Sequence, residues 1–89
     1  MIIRLIDGTC MTSRAAAHDE LARALELPEY YGRNLDALWD LATTLKAEAV
    51  LLHADAMLNA MGAYGERLLQ TLTEAADKNP DFIFRFEHE

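Results

Sequence analysis

Leu27-Pro28-Glu29-Tyr30-Tyr31-Gly32-Arg33-Asn34-Leu35-Asp36-Ala37-Leu38-Trp39-Asp40 is the stretch on which the reading of this chain turns. Pro28 disfavours helical geometry at the residue before it, so a helix ahead of it stops at about Glu26. Pro28 to Gly32 reads as a turn or loop. Asn34 can then cap a second helix, predicted over roughly Leu35 to Lys46, by accepting one of its free N–H groups. At about 100° per residue, Leu35, Leu38, Leu41, Ala42 and Leu45 gather on one side, which has the width of a core face. Asp36 and Asp40 fall together on the opposite side, one turn apart, and Trp39 sits at the margin between the two.

The acidic side is locally unfavourable. Two like charges at i and i+4 cost a few tenths of a kcal/mol in an isolated helix. Asp36, in the first turn, recovers part of this from the helix dipole, and Asp40 recovers less. No basic residue of this helix stands where it would pair with either acid. Such a break with a local rule marks a candidate functional site. Tyr30, Tyr31 and Trp39 stand within ten positions of one another, and rigid aromatic area beside charge is what a binding surface needs. Read alone, the wheel fits a solvated acidic face as well as an interaction site.

Outward from this stretch, the elements alternate. Met1–Ile6 is a short apolar run closed by Asp7-Gly8 and reads as a strand. Thr12 or Ser13 can cap a helix whose apolar positions are Ala17, Leu21, Ala24, Leu25 and Leu27. Ala49 to His53 is long enough for a buried strand and too short for a helix. Asp55 is placed to cap a brief helical turn through Ala60. Gly62 and Gly65 loosen the chain ahead of a long helix to about Asp77, with Leu68, Leu69, Leu72, Ala75 and Ala76 on one face. Asn79-Pro80-Asp81 breaks it, and Phe82 to Phe86 reads as a last strand, its phenylalanines alternating with Ile83 and Arg85. Strands separated by helices favour parallel pairing. The expected fold class is α/β: a three-stranded parallel sheet flanked by about four helices, in the order β-α-α-β-α-α-β.

Eighty-nine residues make one domain, 1–89. Apolar residues are 52% of the chain and aromatics 8%, too apolar for disorder. No run reaches the roughly 18 uninterrupted apolar residues of a membrane span, and Arg4 interrupts the N-terminal apolar residues, so no secretory leader is expected. The single Cys10 forms no internal disulfide and fits a reducing, cytoplasmic setting. Net charge is −7 and the isoelectric point near 4.8. Nucleic acid, whose phosphates need Lys and Arg, is not the expected partner. A basic protein is.

The segment from Leu27 to Asp40 resembles the signature of the barstar family of ribonuclease inhibitors. It is long and carries rare residues, paired Tyr and Trp, at fixed places. In layout the resemblance covers the whole chain, most strongly from about Leu25 to Asp40. The fold it implies agrees with the element order above. It implies that the second helix and the loop before it enter the active site of a barnase-like ribonuclease or related basic toxin. Tyr30, Asp36, Trp39 and Asp40 match contact positions, with Asp40 as the central anchor in the place of a substrate phosphate; Tyr31 and Arg33 lie in the same contacting segment. Glu74 matches a peripheral acidic contact on the last long helix. Asn34 is expected as the structural cap and Gly32 as the residue that lets the loop turn. The resemblance also has departures. Leu45 stands where the best-known member has a second exposed Trp, Lys78 where it has an acid, and Ala49 where it has a proline.

Two other readings of function compete, and self-association with Tyr30, Tyr31 and Trp39 packed in a homodimer is a third possibility. The acid pair of Asp36 and Asp40 could serve an enzyme as general acid and base or as metal ligands. It lacks a third oxygen ligand at the usual spacing, and His18, His53 and His88 are scattered, so no enzyme, metal or cofactor is expected. The other is an acidic protein-binding module on the same scaffold whose partner is not a ribonuclease. The free chain is expected as a monomer, without membrane association.

Overall fold

The computed structural model describes residues 2–89. Its elements are β1 (Ile3–Asp7), a single 3-10 turn (Gly8–Cys10), α1 (Arg14–Leu25), α2 (Leu35–Ala42), β2 (Ala47–Leu52), α3 (Ala54–Met61), α4 (Ala63–Lys78) and β3 (Phe82–Phe86). The three strands form one sheet in the order β1-β2-β3, all parallel. The α/β architecture with four helices is the one expected from the sequence.

Register places Ile6 beside Leu51 and Leu51 beside Phe86, and Ala47 beside Phe82. Residues paired this way point to one face, and Ile6, Ala47, Ala49, Leu51 and Phe82 are all buried there. They join Leu21 and Leu25 of α1, Leu38 and Ala42 of α2, Met57 of α3 and Leu68 and Leu72 of α4 in one core cluster. The opposite face carries Ile3, Leu5 and Ile83, which stay exposed, and an Arg85–Glu48 ion pair across β2 and β3. The helices therefore serve one face of the sheet, as crossovers of one hand require when strand order follows chain order.

Local chemistry explains the boundaries. Ser13, not Thr12, caps α1: its hydroxyl accepts from the Ala16 N–H at 3.1 Å. The chain leaves α1 through Glu26 in the left-handed conformation, φ 52°. Gly8 has no alternative, because a Cβ there would lie 2.2 Å from the His53 carbonyl oxygen. The buried Glu20 carboxylate accepts the Asp7 N–H at 2.8 Å and the Arg23 guanidinium, and Arg23 holds its carboxyl below the usual range. This ties α1 to the end of β1.

Several boundaries differ from expectation; β1 runs on to Asp7, and β2 spans Ala47–Leu52 rather than Ala49 to His53. α2 ends at Ala42 rather than Lys46. The Thr43 hydroxyl donates to the Trp39 and Asp40 carbonyls, and Thr44 donates to Leu41. Asn79, read from the sequence only as part of a breaker, is buried and donates to the Ala42 and Leu45 carbonyls at 3.0 and 2.7 Å. These donors add to the tight backbone bonds of the last turn, Thr44 N–H to Leu41 and Leu45 N–H to Ala42, where the helical ladder stops. Asp55 does not cap α3; His53, at φ 57°, occupies that position without a side-chain cap. Gly65 does not loosen the chain but lies buried within α4, where a Cβ would come within 3.3 Å of the Met57 carbonyl oxygen. It lets α3 and α4 approach closely.

Candidate functional site

α2 is eight residues long and begins at a strong cap. The Asn34 Oδ1 accepts from the Ala37 N–H at 2.7 Å, while its amide donates to the Gly32 carbonyl. Such a cap is worth about 1 kcal/mol. It fixes the angle at which the loop meets the helix. The left-handed residue that turns the loop is Arg33, φ 55°, and not Gly32. Gly32 is needed for space: a Cβ there would lie 3.2 Å from that of Ala37. Arg33 is held by an ion pair with Asp19 of α1.

The apolar side of α2 enters the core through Leu38 and Ala42, with Leu35, Leu41 and Leu45 packed at its edge. Trp39 is half-buried and lies against the same core. Asp36 and Asp40 are exposed. Among the described residues, neither side chain has a hydrogen-bond or ion-pair partner. Asp40 is left without a cation of this chain beside it, whereas Asp36 shares a cleft with Arg14 and Arg67.

Tyr30 and Tyr31 separate completely in role. Tyr30 is 81% exposed. Tyr31, expected at the contact surface, is only 5% exposed and belongs to the core. Its hydroxyl is hydrogen-bonded to Nδ1 of the buried His18, whose Nε2 meets the Tyr64 hydroxyl at 2.7 Å. Burial raises the Tyr31 phenol, with Tyr64 adding to the effect, and burial lowers the His18 imidazole, helped by the nearby Arg33 charge. Tyr31 is thus a support of the loop, and only one face of it reaches the surface. The sequence signal was an apolar neighbourhood at Leu25 and Leu27; nothing local named His18 as its partner.

Tyr30, Tyr31, Gly32, Ala37, Asp40 and Leu41 line a groove of about 270 Å³. It combines an aromatic wall, a backbone floor and one carboxylate at the rim, which suits a cationic or imidazole side chain of a partner. Asp36 faces a different cleft, shared with the start of α4. Glu74 is exposed on α4 and accepts from Gln70 of its own helix at 2.9 Å; no hydrogen bond joins it to α2. Among the described residues no group of His, Cys, Asp and Glu could hold a metal ion, and no helix is long and apolar enough to cross a membrane.

Comparison with known proteins shows the family. The family model described as Barstar (barnase inhibitor) matches residues 1–88. A protein of Bacillus subtilis (strain 168) named "Putative ribonuclease inhibitor YrdF" is 36% identical over 80 residues, covering 86% of this chain and 88% of that protein. The family is one of inhibitors rather than enzymes, so the acid pair on α2 is not a catalytic dyad. With its parallel three-stranded sheet, its capped acidic helix and its match over 88 of 89 residues, the chain belongs to the Barstar family.

Proposed function

We propose that this chain inhibits a barnase-like ribonuclease by inserting α2 and the preceding loop into the enzyme's phosphate-binding site. The observation that carries this reading is Asp40: an unpaired, exposed carboxylate at the rim of an aromatic groove, on a helix rigidly held by the core. A ribonuclease site is built to hold a phosphate, and Arg forks bind carboxylates in a similar bidentate way. Asp40 takes the phosphate's place, Tyr30 and the exposed edge of Trp39 supply apolar area, and Asp36, Arg33 and Glu74 make peripheral contacts with the enzyme. Tyr31, Gly32 and Asn34 hold the loop in shape. The inhibitor acts as a single-domain monomer in the cytoplasm, in the manner of an antitoxin or immunity protein, and needs no cofactor.

The rim favours a cognate enzyme other than barnase itself. Leu45 is partly buried against the core and offers no exposed aromatic there. Lys78 is exposed and reverses the charge at another edge. A partner that is not a ribonuclease is the second reading, favoured by these same departures.

The test is titration of the protein into a panel of small basic bacterial ribonucleases, with Asp40→Ala as control. Stoichiometric inhibition that the substitution removes supports the proposal. Binding that leaves nuclease activity untouched favours the second reading, and no inhibition of any panel member rejects the first.

A further inference from the structure

Beside the acidic helix lies a cleft of opposite character. It has a volume of about 320 Å³ and is lined by Arg14, Asn34, Leu35, Asp36, Tyr64 and Arg67. The Arg14 guanidinium sits 4.2 Å from the centre of the Tyr64 ring, and that of Arg67 sits 5.5 Å from it. Both distances are within cation–π range. Tyr64 cannot swing away freely, because its hydroxyl is bonded to the buried His18. Two like charges are therefore held at one fixed ring.

Neither guanidinium has a carboxylate partner among the described residues, whereas Arg4, Arg23, Arg33 and Arg85 each have one. Arg14 is also misplaced by local rules. It is the first residue of α1, a helix with no acid in its first turn, and a cation there opposes the helix dipole. The starts of α1, α2 and α4 all border the cleft, so their partial positive charges add to the two arginines. Asp36 is the one acid in the lining. On a chain of net charge −7, this is a local field of the opposite sign.

We infer that the Arg14–Tyr64–Arg67 cleft receives an acidic side chain of the same partner protein whose cationic site takes Asp40. This rests on the inhibitor reading and deepens it. The partner it fits is a nuclease with an Asp or Glu at the edge of its basic active site, close to the cation that meets Asp36. Asp36 and the two arginines share one lining, so the interface alternates in sign, and alternating charge selects a register and rejects nucleases with a basic rim at that place. The cleft sets which nuclease is inhibited, while Asp40 makes inhibition possible.

The experiment measures inhibition constants for wild type, Asp40→Ala, Arg14→Gln, Arg67→Gln and the Arg14→Glu/Arg67→Glu pair against the same ribonuclease panel, with thermal melts of each variant. Each glutamine variant should weaken inhibition by about 3- to 10-fold and the charge reversal by about 100-fold or more, as expected for interfacial charge pairs. An Asp or Glu to amide scan of the inhibited nuclease should then find one acid whose loss removes the sensitivity to the reversal. If the reversed pair fails to fold, the two glutamine variants decide. Unchanged or tighter inhibition by the arginine variants, with Asp40→Ala still inactive, overturns this inference and leaves the inhibitor reading standing. A panel on which the wild type inhibits nothing overturns both.

Discussion

The imidazole of His18, in α1, holds the hydroxyl of Tyr31, in the loop before α2, inside the core. The two residues are thirteen apart in sequence, and their bond joins the scaffold to the segment that carries Tyr30, Arg33 and the Asn34 cap. Because Nε2 of the same ring meets Tyr64, one buried histidine links α1, the loop and α4. A neutral ring can do this as donor on one nitrogen and acceptor on the other.

Acid should weaken the fold through this histidine. Its pKa lies below the ordinary 6.5 in the folded chain, through burial first and the Arg33 charge second, with Asp19 opposing them. Tyr31 and Tyr64 are the other titratable groups that meet the ring, and Arg14 and Arg67 stand over Tyr64. The unfolded chain therefore takes up the proton first as pH falls, and stability declines. The contribution is complete above about pH 6.5, and is lost as pH falls through the folded-state value. Urea denaturation from pH 8 to pH 5 should show this slope, and His18→Gln should flatten it. Equal slopes in both proteins would assign the acid sensitivity elsewhere.

Tyr31→Phe keeps the ring and deletes one hydrogen bond, leaving a buried imidazole nitrogen without a partner. Loss of about 1–3 kcal/mol in stability is expected. Tyr30→Phe, at an exposed hydroxyl, should change stability by less than about 0.5 kcal/mol. Equilibrium denaturation of the two variants checks the contrast.

Asn79→Ala should cost about 1–3 kcal/mol, because it strips the side-chain donor from the Ala42 carbonyl, at the end of α2, and from the Leu45 carbonyl in the segment after it. The amide exchange of α2 should rise with it. Asn34→Ala, at the other end, should cost about 1 kcal/mol. A variant at Asn79 as stable as wild type would mean that water replaces its amide without loss.

Asp40→Ala should weaken inhibition of a cognate ribonuclease by more than about 2 kcal/mol, since desolvated enzyme cations would be left unpaired. Interface anchors of the barstar family have effects of this size or larger. Association should also slow steeply with added salt, because a −7 protein approaches a basic site. Stopped-flow rates from low to physiological ionic strength measure this, and a flat profile would rule out electrostatic steering.

By itself the sequence determined the element order, the capped start of α2 and the pairing of Asp36 with Asp40 on one side. These are set by neighbours within about one helical turn, by a cap, a proline and a hydrophobic period, and so they are written locally. The motif from Leu27 to Asp40 carried the family as well. Only the tertiary structure decided which tyrosine is free. Tyr30 and Tyr31 are adjacent and chemically identical, and they part because His18, on another helix, waits for one hydroxyl and not the other. The same holds for the end of α2, which depends on Asn79 returning from beyond α4, and for the cleft of Arg14, Tyr64 and Arg67, where Arg14 lies at least fifty residues from the other two. Contacts across such separations leave no periodic trace in the chain. They exist once the helices have packed on one face of the sheet and brought their starts together.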